Sequence, residues 1–183
     1  MRTILFLTIC LVMTVNVSAQ HKNNPWDEIS EYREGKVIMS AFGTKVVCDS
    51  IEYRPHAIER FCPDKDMKAC KAEEKAWIKE CVKYFPEKLL RQSKELIRQN
   101  GDGCQTVSVS VWIDSKGKIS YLWMMFADEL YALLEWEQVN EIFDKIKNRE
   151  IPFAHYYKIS PQFPYAEEES SYALLSFSLG EKL

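Results

Sequence analysis

Residues 106–126 read TVSVSVWIDSKGKISYLWMMF and hold the clearest periodic pattern in the chain. Across 106–113, valine and isoleucine alternate with serine and tryptophan, which is the period of a strand with one buried face. The segment 114–117 favours a tight turn, because its glycine can take a positive φ at no steric cost. A second strand resumes at 118–126. The stretch therefore predicts an antiparallel β-hairpin.

A helix and a last strand complete the predicted unit. The helix is indicated by apolar residues at helical spacing, Val139, Ile142, Phe143 and Ile146. Pro152 ends this helix, and the last strand is predicted over 171–179. A two-stranded hairpin cannot bury its apolar face alone, so the helix must cover it. The predicted fold is α+β, with a three-stranded antiparallel sheet in the order hairpin, helix, strand, packed on helices.

The first half of the chain predicts a hairpin and a long helix. Two β-prone runs, 36–42 and 45–53, are joined at Gly43-Thr44. The long helix begins near Asp64 or Asp66 and reaches about Tyr84, and a second helix runs from Pro86 to Asn100. The chain is accordingly divided near Pro86, into an N-terminal hairpin and helix subdomain at 20–85 and the α+β unit at 86–183.

The second unit combines several short motifs in a fixed order. They are Tyr84-Phe85-Pro86, a short helix, Val107-x-Val-x-Val-x-Ile113, Asp114-x-x-Gly117-x-Ile119, the amphipathic helix, Pro152 and a final strand ending in Phe177-x-Leu179. From about Tyr84 to Leu183, this order gives the chain a resemblance to the TonB carboxy-terminal domain. The resemblance implies a three-stranded sheet packed on helices in a periplasmic adaptor that pairs with a short segment of an outer-membrane receptor. The chain lacks a proline-rich spanning arm, so the energy-transducing activity is not carried over.

The first nineteen residues are typical of a secretory signal peptide. Arg2 supplies a positive start, 4–13 is almost wholly apolar, and Val17-Ser18-Ala19 is a small-residue cleavage pattern. The apolar run is shorter than the about 20 residues that a membrane span needs. We therefore expect 1–19 to be removed before Gln20, which makes the protein periplasmic or secreted, with no membrane span after cleavage.

Charge and composition exclude some classes of protein. The 24 basic and 27 acidic side chains give a formal charge of −3, which leaves no basic footprint for nucleic acid. The 46% hydrophobic content, with only 6 glycines and 7 prolines, is that of a chain with a packed core rather than a disordered one.

Five cysteines remain after the loss of Cys10, and each is a disulfide candidate in an exported protein: Cys48, Cys62, Cys70, Cys81 and Cys104. The odd number leaves one thiol unpaired or pairs it with another chain. Cys70 and Cys81 lie about 16 Å apart along one predicted helix. This exceeds the limit of about 7 Å between the Cα atoms of a disulfide. The other pairings stay open.

No catalytic motif is present. The chain has no G-x-S-x-G, P-loop or H-E-x-x-H pattern, and the spacing of its histidines, His21, His56 and His155, matches no metal site. We predict no catalytic residue, cofactor or metal. The alternative is a hydrolase or thiol enzyme with dispersed residues, for example His56 acting with Cys48 or Cys62.

Aromatic residues supply the predicted binding surface. Trp112 is expected beside Leu122 on the sheet face opposite the valines, and Met124 and Phe126 continue that face. Either the first half of the protein covers this face or it is exposed for a partner; cover is favoured, because the leucines of the Pro86 helix need a surface. The segment 153–165 is rich in tyrosine, which makes good contact surfaces. The candidate binding residues are Trp112, Tyr156, Tyr157, Phe163 and Tyr165. The favoured function is a non-catalytic binding or adaptor module of the cell envelope whose partner is a protein or an envelope component. An exposed sheet edge at the last strand would favour binding by strand addition.

Overall fold

The computed structural model describes residues 31–41, 43–50, 59–101, 104, 106–167 and 170–180. The strands are β1 Glu31–Arg33, β2 Lys36–Ala41, β3 Thr44–Cys48, β4 Arg60–Phe61, β5 Val107–Ile113, β6 Ile119–Ala127, β7 Lys158–Ile159 and β8 Ala173–Ser178. The helices are α1 Met67–Val82, α2 Glu87–Asn100, α3 Asp128–Tyr131 and α4 Trp136–Lys147, with a 3₁₀ turn at Pro152–Tyr156. The predicted signal peptide, Cys10, His21 and His56 lie outside the described residues.

The turn between β5 and β6 forms as its residues predict. The Asp114 carboxylate accepts hydrogen bonds from the backbone N–H groups of Lys116 and Lys118, both at 2.9 Å. Gly117 has a φ of 75°, and a Cβ atom there would lie 3.0 Å from the Ala154 Cβ. Glycine is therefore favoured both by the backbone conformation and by the close approach of the 3₁₀ turn.

The sheet confirms the α+β class, but it is larger than the three strands predicted. Six strands pair in the order β1-β2-β3-β6-β5-β8, all antiparallel. The additional strands come from the first half of the chain, because β3 pairs with β6 from Thr44↔Ala127 to Cys48↔Trp123. A second, two-stranded sheet is formed by β4 and β7.

Asp49 extends the junction between β3 and β6 beyond the end of β3. Its Oδ2 accepts from the Leu122 N–H at 2.7 Å and from the Lys147 Nζ at 2.8 Å. The carboxylate thereby satisfies a backbone donor at the point where β3 stops pairing. The same contact ties the end of α4 to the sheet.

The apolar residues of the helices lie on the valine face of the sheet. One buried cluster contains Val107, Val109 and Val111 together with Trp77 of α1, Leu89 of α2 and the buried residues of α4. The expectation that the Pro86 helix would cover the opposite face is therefore wrong. Leu89 is only 1% exposed, within the valine cluster.

The expected neighbours of Trp112 are also wrong. Trp112 pairs with Tyr121, whereas Leu122 lies opposite Val111 and faces the helices with Met124 and Phe126. A register irregularity between Trp112 and Ile113 sets this pairing. The opposite face holds a second buried cluster, which consists of strand residues: Val37, Met39, Val46, Cys48, Trp112 and Tyr121.

The helix α1 is continuous from Met67 to Val82, so the exclusion of a Cys70–Cys81 disulfide is confirmed. Within the described ranges, no helix combines the length and apolar character that crossing a membrane requires.

Candidate binding edge and buried thiol cluster

The strand β8 is the end strand of the large sheet, and its peptide groups point in two directions. The Leu179 N–H donates to the Val107 carbonyl at 2.9 Å, just beyond the pairing of Ser178 with Ser108. In an antiparallel pair, peptide groups face the neighbouring strand at every second residue. The groups of Ala173, Leu175 and Phe177 therefore face β5. Those of Leu174, Ser176 and Ser178 point away from it.

The beginning of this outer edge is closed by β4. The N–H groups of Glu59 and Arg60 both donate to the Tyr172 carbonyl, at 3.1 and 3.0 Å. Arg60 adds bonds from its guanidinium to the Ser171 hydroxyl at 3.3 Å and to the Tyr157 carbonyl at 2.9 Å. Beyond Tyr172, no strand among the described residues pairs with the outer side of β8. The open edge runs from Leu174 to Ser178, which is about 16 Å of extended chain.

Side chains hold β8 firmly in the sheet from both faces. On the helix face, Ala173, Leu175 and Phe177 are buried, and the Phe177 ring meets Trp77 edge to face at 6.3 Å. On the other face, the Ser176 and Ser178 hydroxyls bond across to Ser110 and Ser108, at 2.8 and 3.1 Å. The edge is therefore a fixed template with a polar strip along one face.

The structure separates the predicted aromatic binding residues into buried and exposed groups. Trp112 is 5% exposed and packs edge to face on Tyr121 at 5.2 Å. Tyr157 is buried and Tyr156 is half-buried. Phe163 and Tyr165 are exposed, and Tyr165 is 96% accessible. As the molecule stands, these last two can meet a partner directly.

The exposed aromatic residues belong to the segment that supports the start of the edge. The Ser160 N–H donates to the Glu59 carbonyl at 2.6 Å, and the Phe163 N–H donates to the Ser160 carbonyl at 2.9 Å. Phe61, in β4, is exposed as well. Hydrogen bonds thus connect the aromatic segment through β4 to Tyr172, at the point where the edge opens.

A cluster of titratable side chains joins the start of α1 to Tyr157, and all of its members except the half-buried Glu74 are buried. The Cys70 thiol donates to the Glu74 carboxylate at 3.2 Å, and the Tyr157 hydroxyl donates to the same oxygen at 2.7 Å. The nearby Cys62 thiol donates to the Pro63 carbonyl at 3.7 Å. Burial, followed by the contact with Glu74, raises the pKa of the Cys70 thiol. Burial and the same carboxylate also raise the pKa of the Tyr157 phenol.

Histidine does not take part in this cluster as far as the structure describes it. His155 is exposed, its Nδ1 lies 2.8 Å from the Pro152 carbonyl oxygen, and its ring lies 4.0 Å from that of Tyr156. In the described part of the chain, no group of three histidine, cysteine, aspartate or glutamate side chains could hold a metal ion.

Two features were not found from the sequence. The contact between Cys70 and Glu74 has a signal, because residues four apart on a helix lie on one face. The open edge has none, since the position of a strand within a sheet depends on long-range pairing.

The five cysteines are thiols in the structure, and no pair of them is joined.

No protein-family model matches this chain, and no curated protein matches it. Among solved structures, it is similar to a DUF5043 family protein from Bacteroides uniformis, with a TM-score of 0.44 and 11% sequence identity. The match covers 81% of this chain and 83% of the other.

Proposed function

We propose that this protein is an exported, non-catalytic binding module of the cell envelope, and that the outer edge of β8 takes an extended segment of a partner protein. The observation that carries the proposal is the outward direction of the peptide groups of Leu174, Ser176 and Ser178, on a strand held in place from both faces. An unpaired strand edge is a ready template for another strand.

The chemistry of the edge indicates what the partner segment must be. Main-chain hydrogen bonds would supply affinity, and they require a segment without proline at its bonding positions. Polar or small residues suit the serine strip of Ser108, Ser110, Ser176 and Ser178. Apolar residues at the end beside Tyr172 would meet the exposed rings of Phe61, Phe163 and Tyr165.

Export is part of the proposal and rests on the pattern of residues 1–19. Amino-terminal sequencing of the protein from its native cell is expected to begin near Gln20. A sequence that begins at Met1 would contradict export while leaving the binding edge untouched.

The alternative of a thiol enzyme has less support. A nucleophilic cysteine needs a lowered pKa and access to substrate. Cys70 is fully buried beside a carboxylate, and its pKa is raised.

A single substitution tests the edge. Ser176→Pro removes the outward N–H, and a proline is tolerated in an edge strand where that N–H faces solvent. Ser176→Ala is the matched control, because it also loses the hydroxyl bond to Ser110 but keeps the N–H. Linear peptides selected from a displayed library on the full chain are the probes.

We expect the selected peptides to bind wild type and Ser176→Ala alike, and to lose at least about tenfold in affinity for Ser176→Pro, which corresponds to about 1.4 kcal/mol. Bound peptide should also slow hydrogen exchange at Leu174, Ser176 and Ser178. Equal binding by all three proteins, without protection of these amides, would overturn the binding edge.

A further inference from the structure

The helix α1 carries a row of lysines along one exposed face. Lys68, Lys71, Lys75 and Lys79 follow each other at spacings of three and four residues, which places them on one side of the helix. We call this row the lysine stripe; it spans about 16 Å, and all four residues are exposed. In the part of the chain that the structure describes, no carboxylate forms an ion pair with any of the four. The stripe is therefore a local concentration of unpaired positive charge on a protein whose formal charge is −3.

The carboxylates of the same helix have other partners. Glu73 and Glu74 accept hydrogen bonds from the hydroxyls of two adjacent tyrosines, at 3.1 and 2.7 Å. Glu80 forms an ion pair with Lys83, with 2.6 Å between Oε1 and Nζ. The acidic side chains of α1 are thus held away from the stripe, and its four ammonium groups stay available to a ligand.

The stripe carries a cost for the helix that holds it. Lys71, Lys75 and Lys79 are spaced four residues apart, and like charges at this spacing destabilise a helix. Lys68 lies in the first turn, where the positive end of the helix dipole disfavours a cation and no acidic residue offsets it. A charge pattern that weakens its own helix is expected where the charges serve binding.

We propose that the lysine stripe docks the protein on an anionic lipid surface. Lysine is a compact point charge that suits phosphate groups, whereas arginine, which forms paired hydrogen bonds with carboxylates, is absent from the stripe. The exposed residues between the lysines include Ala69, Ala72 and Ala76, whose small side chains cannot recognise the shape of a protein partner. A row of flexible charges on a smooth helix face fits interchangeable lipid headgroups.

The contact is peripheral, because the apolar residues of α1 are not free to enter a bilayer. Trp77, Ile78 and Cys81 are buried in the core. The attraction therefore comes from the charges and falls steeply with salt, since the screening length drops from about 10 Å at 0.1 M salt to about 3 Å at 1 M salt. The inference does not rest on the binding edge, which lies on β8 and uses other residues.

Vesicle binding by the full chain tests the stripe. Vesicles of phosphatidylcholine alone are compared with vesicles of equal parts phosphatidylcholine and phosphatidylglycerol. We expect the full chain to bind the phosphatidylglycerol vesicles at least about tenfold more tightly at about 0.1 M salt, and this preference to disappear at about 1 M salt. Wild type and all variants share residues 1–19, so any binding by that segment is common to them.

The stripe variant is Lys71→Gln with Lys75→Gln, and the matched control is Arg91→Gln with Lys94→Gln, at two exposed cations of α2. Each pair removes two positive charges and introduces a residue that suits a helix. The stripe variant should lose about 30-fold in affinity for the anionic vesicles, about fivefold for each lysine, and the control less than about threefold. The urea midpoint of the stripe variant should not fall, because its like-charge contacts are relieved.

Acetylation of lysine side chains shows which face meets the vesicle. The lysines of the stripe should react more slowly in bound protein than in free protein, whereas Lys94 should react at the same rate in both. Equal affinities of the stripe variant and the control, or unchanged acetylation of the stripe, would overturn the proposal. Binding of wild type to soluble dextran sulfate without binding to the anionic vesicles would also overturn it.

Discussion

Gly180 lies two residues beyond the end of β8, has a φ of 89° and is in tight contact with α2. A Cβ atom there would lie 2.9 Å from the Ile97 Cδ1 and 3.2 Å from the backbone nitrogen of Lys94. The side chain of Ile97 can move, but the helix backbone cannot do so cheaply. The chain just after β8 can therefore pack closely against α2 only because Gly180 has no side chain.

Gly180→Ala is expected to lower the free energy of unfolding by about 2–4 kcal/mol, the sum of a strained positive φ and overpacking against the helix. Gly35→Ala is the matched control, because Gly35 has a φ of 76° with nothing within 4 Å of its added Cβ. The control should lose only about 1 kcal/mol, the conformational part. If urea titrations show the same loss of unfolding free energy in both variants, the contact between Gly180 and α2 does not contribute to stability.

At the scale of the element, β5 separates two environments. Val111 is fully buried beneath the helices, whereas Ser110 is half-buried and bonded to Ser176. Val111→Asp should cost several kcal/mol, because it forces an unpaired charge into the core. Ser110→Asp should cost much less, since its carboxylate can stay hydrated. Urea unfolding of both variants checks the assignment, and a mild loss at Val111 would contradict it.

The same element shows where sequence patterns stop being informative. In β5 the alternation of valine with serine identified the buried face, because only one face is apolar. In β6 both faces are apolar, with Tyr121 and Trp123 on one and Leu122 and Met124 on the other. Alternation therefore could not orient β6, and its orientation came from the irregularity after Trp112.

At the scale of the whole molecule, local elements were predictable and their assembly was not. The turn at Asp114–Gly117 and the helix after Pro86 follow from local chemistry. The pairing of β3 with β6 joins residues about eighty positions apart, and nothing in either strand specifies the other. The open edge of β8 depends on that strand order, so the candidate binding site was only partly predictable.

The protonation of buried groups is another property of the assembled molecule. Burial raises the pKa of the Cys81 thiol from 9.0 to about 12 in the folded protein. Below pH 9, both the folded and the unfolded state keep this proton, so its contribution to stability is fully present. Between pH 9 and 12, only the unfolded state loses the proton, and the contribution falls until the folded thiol also ionises.

We therefore expect the free energy of unfolding to decline above pH 9, by up to about 1.4 kcal/mol per pH unit for this one thiol. Urea titrations between pH 8 and 11 measure the slope. In Cys81→Ala, the decline of the unfolding free energy with pH should be shallower by up to about 1.4 kcal/mol per pH unit, which corresponds to one proton. This holds whatever the effect of the substitution on stability at pH 8. An unchanged slope in Cys81→Ala would mean that this thiol ionises as readily in the folded protein as in the unfolded one.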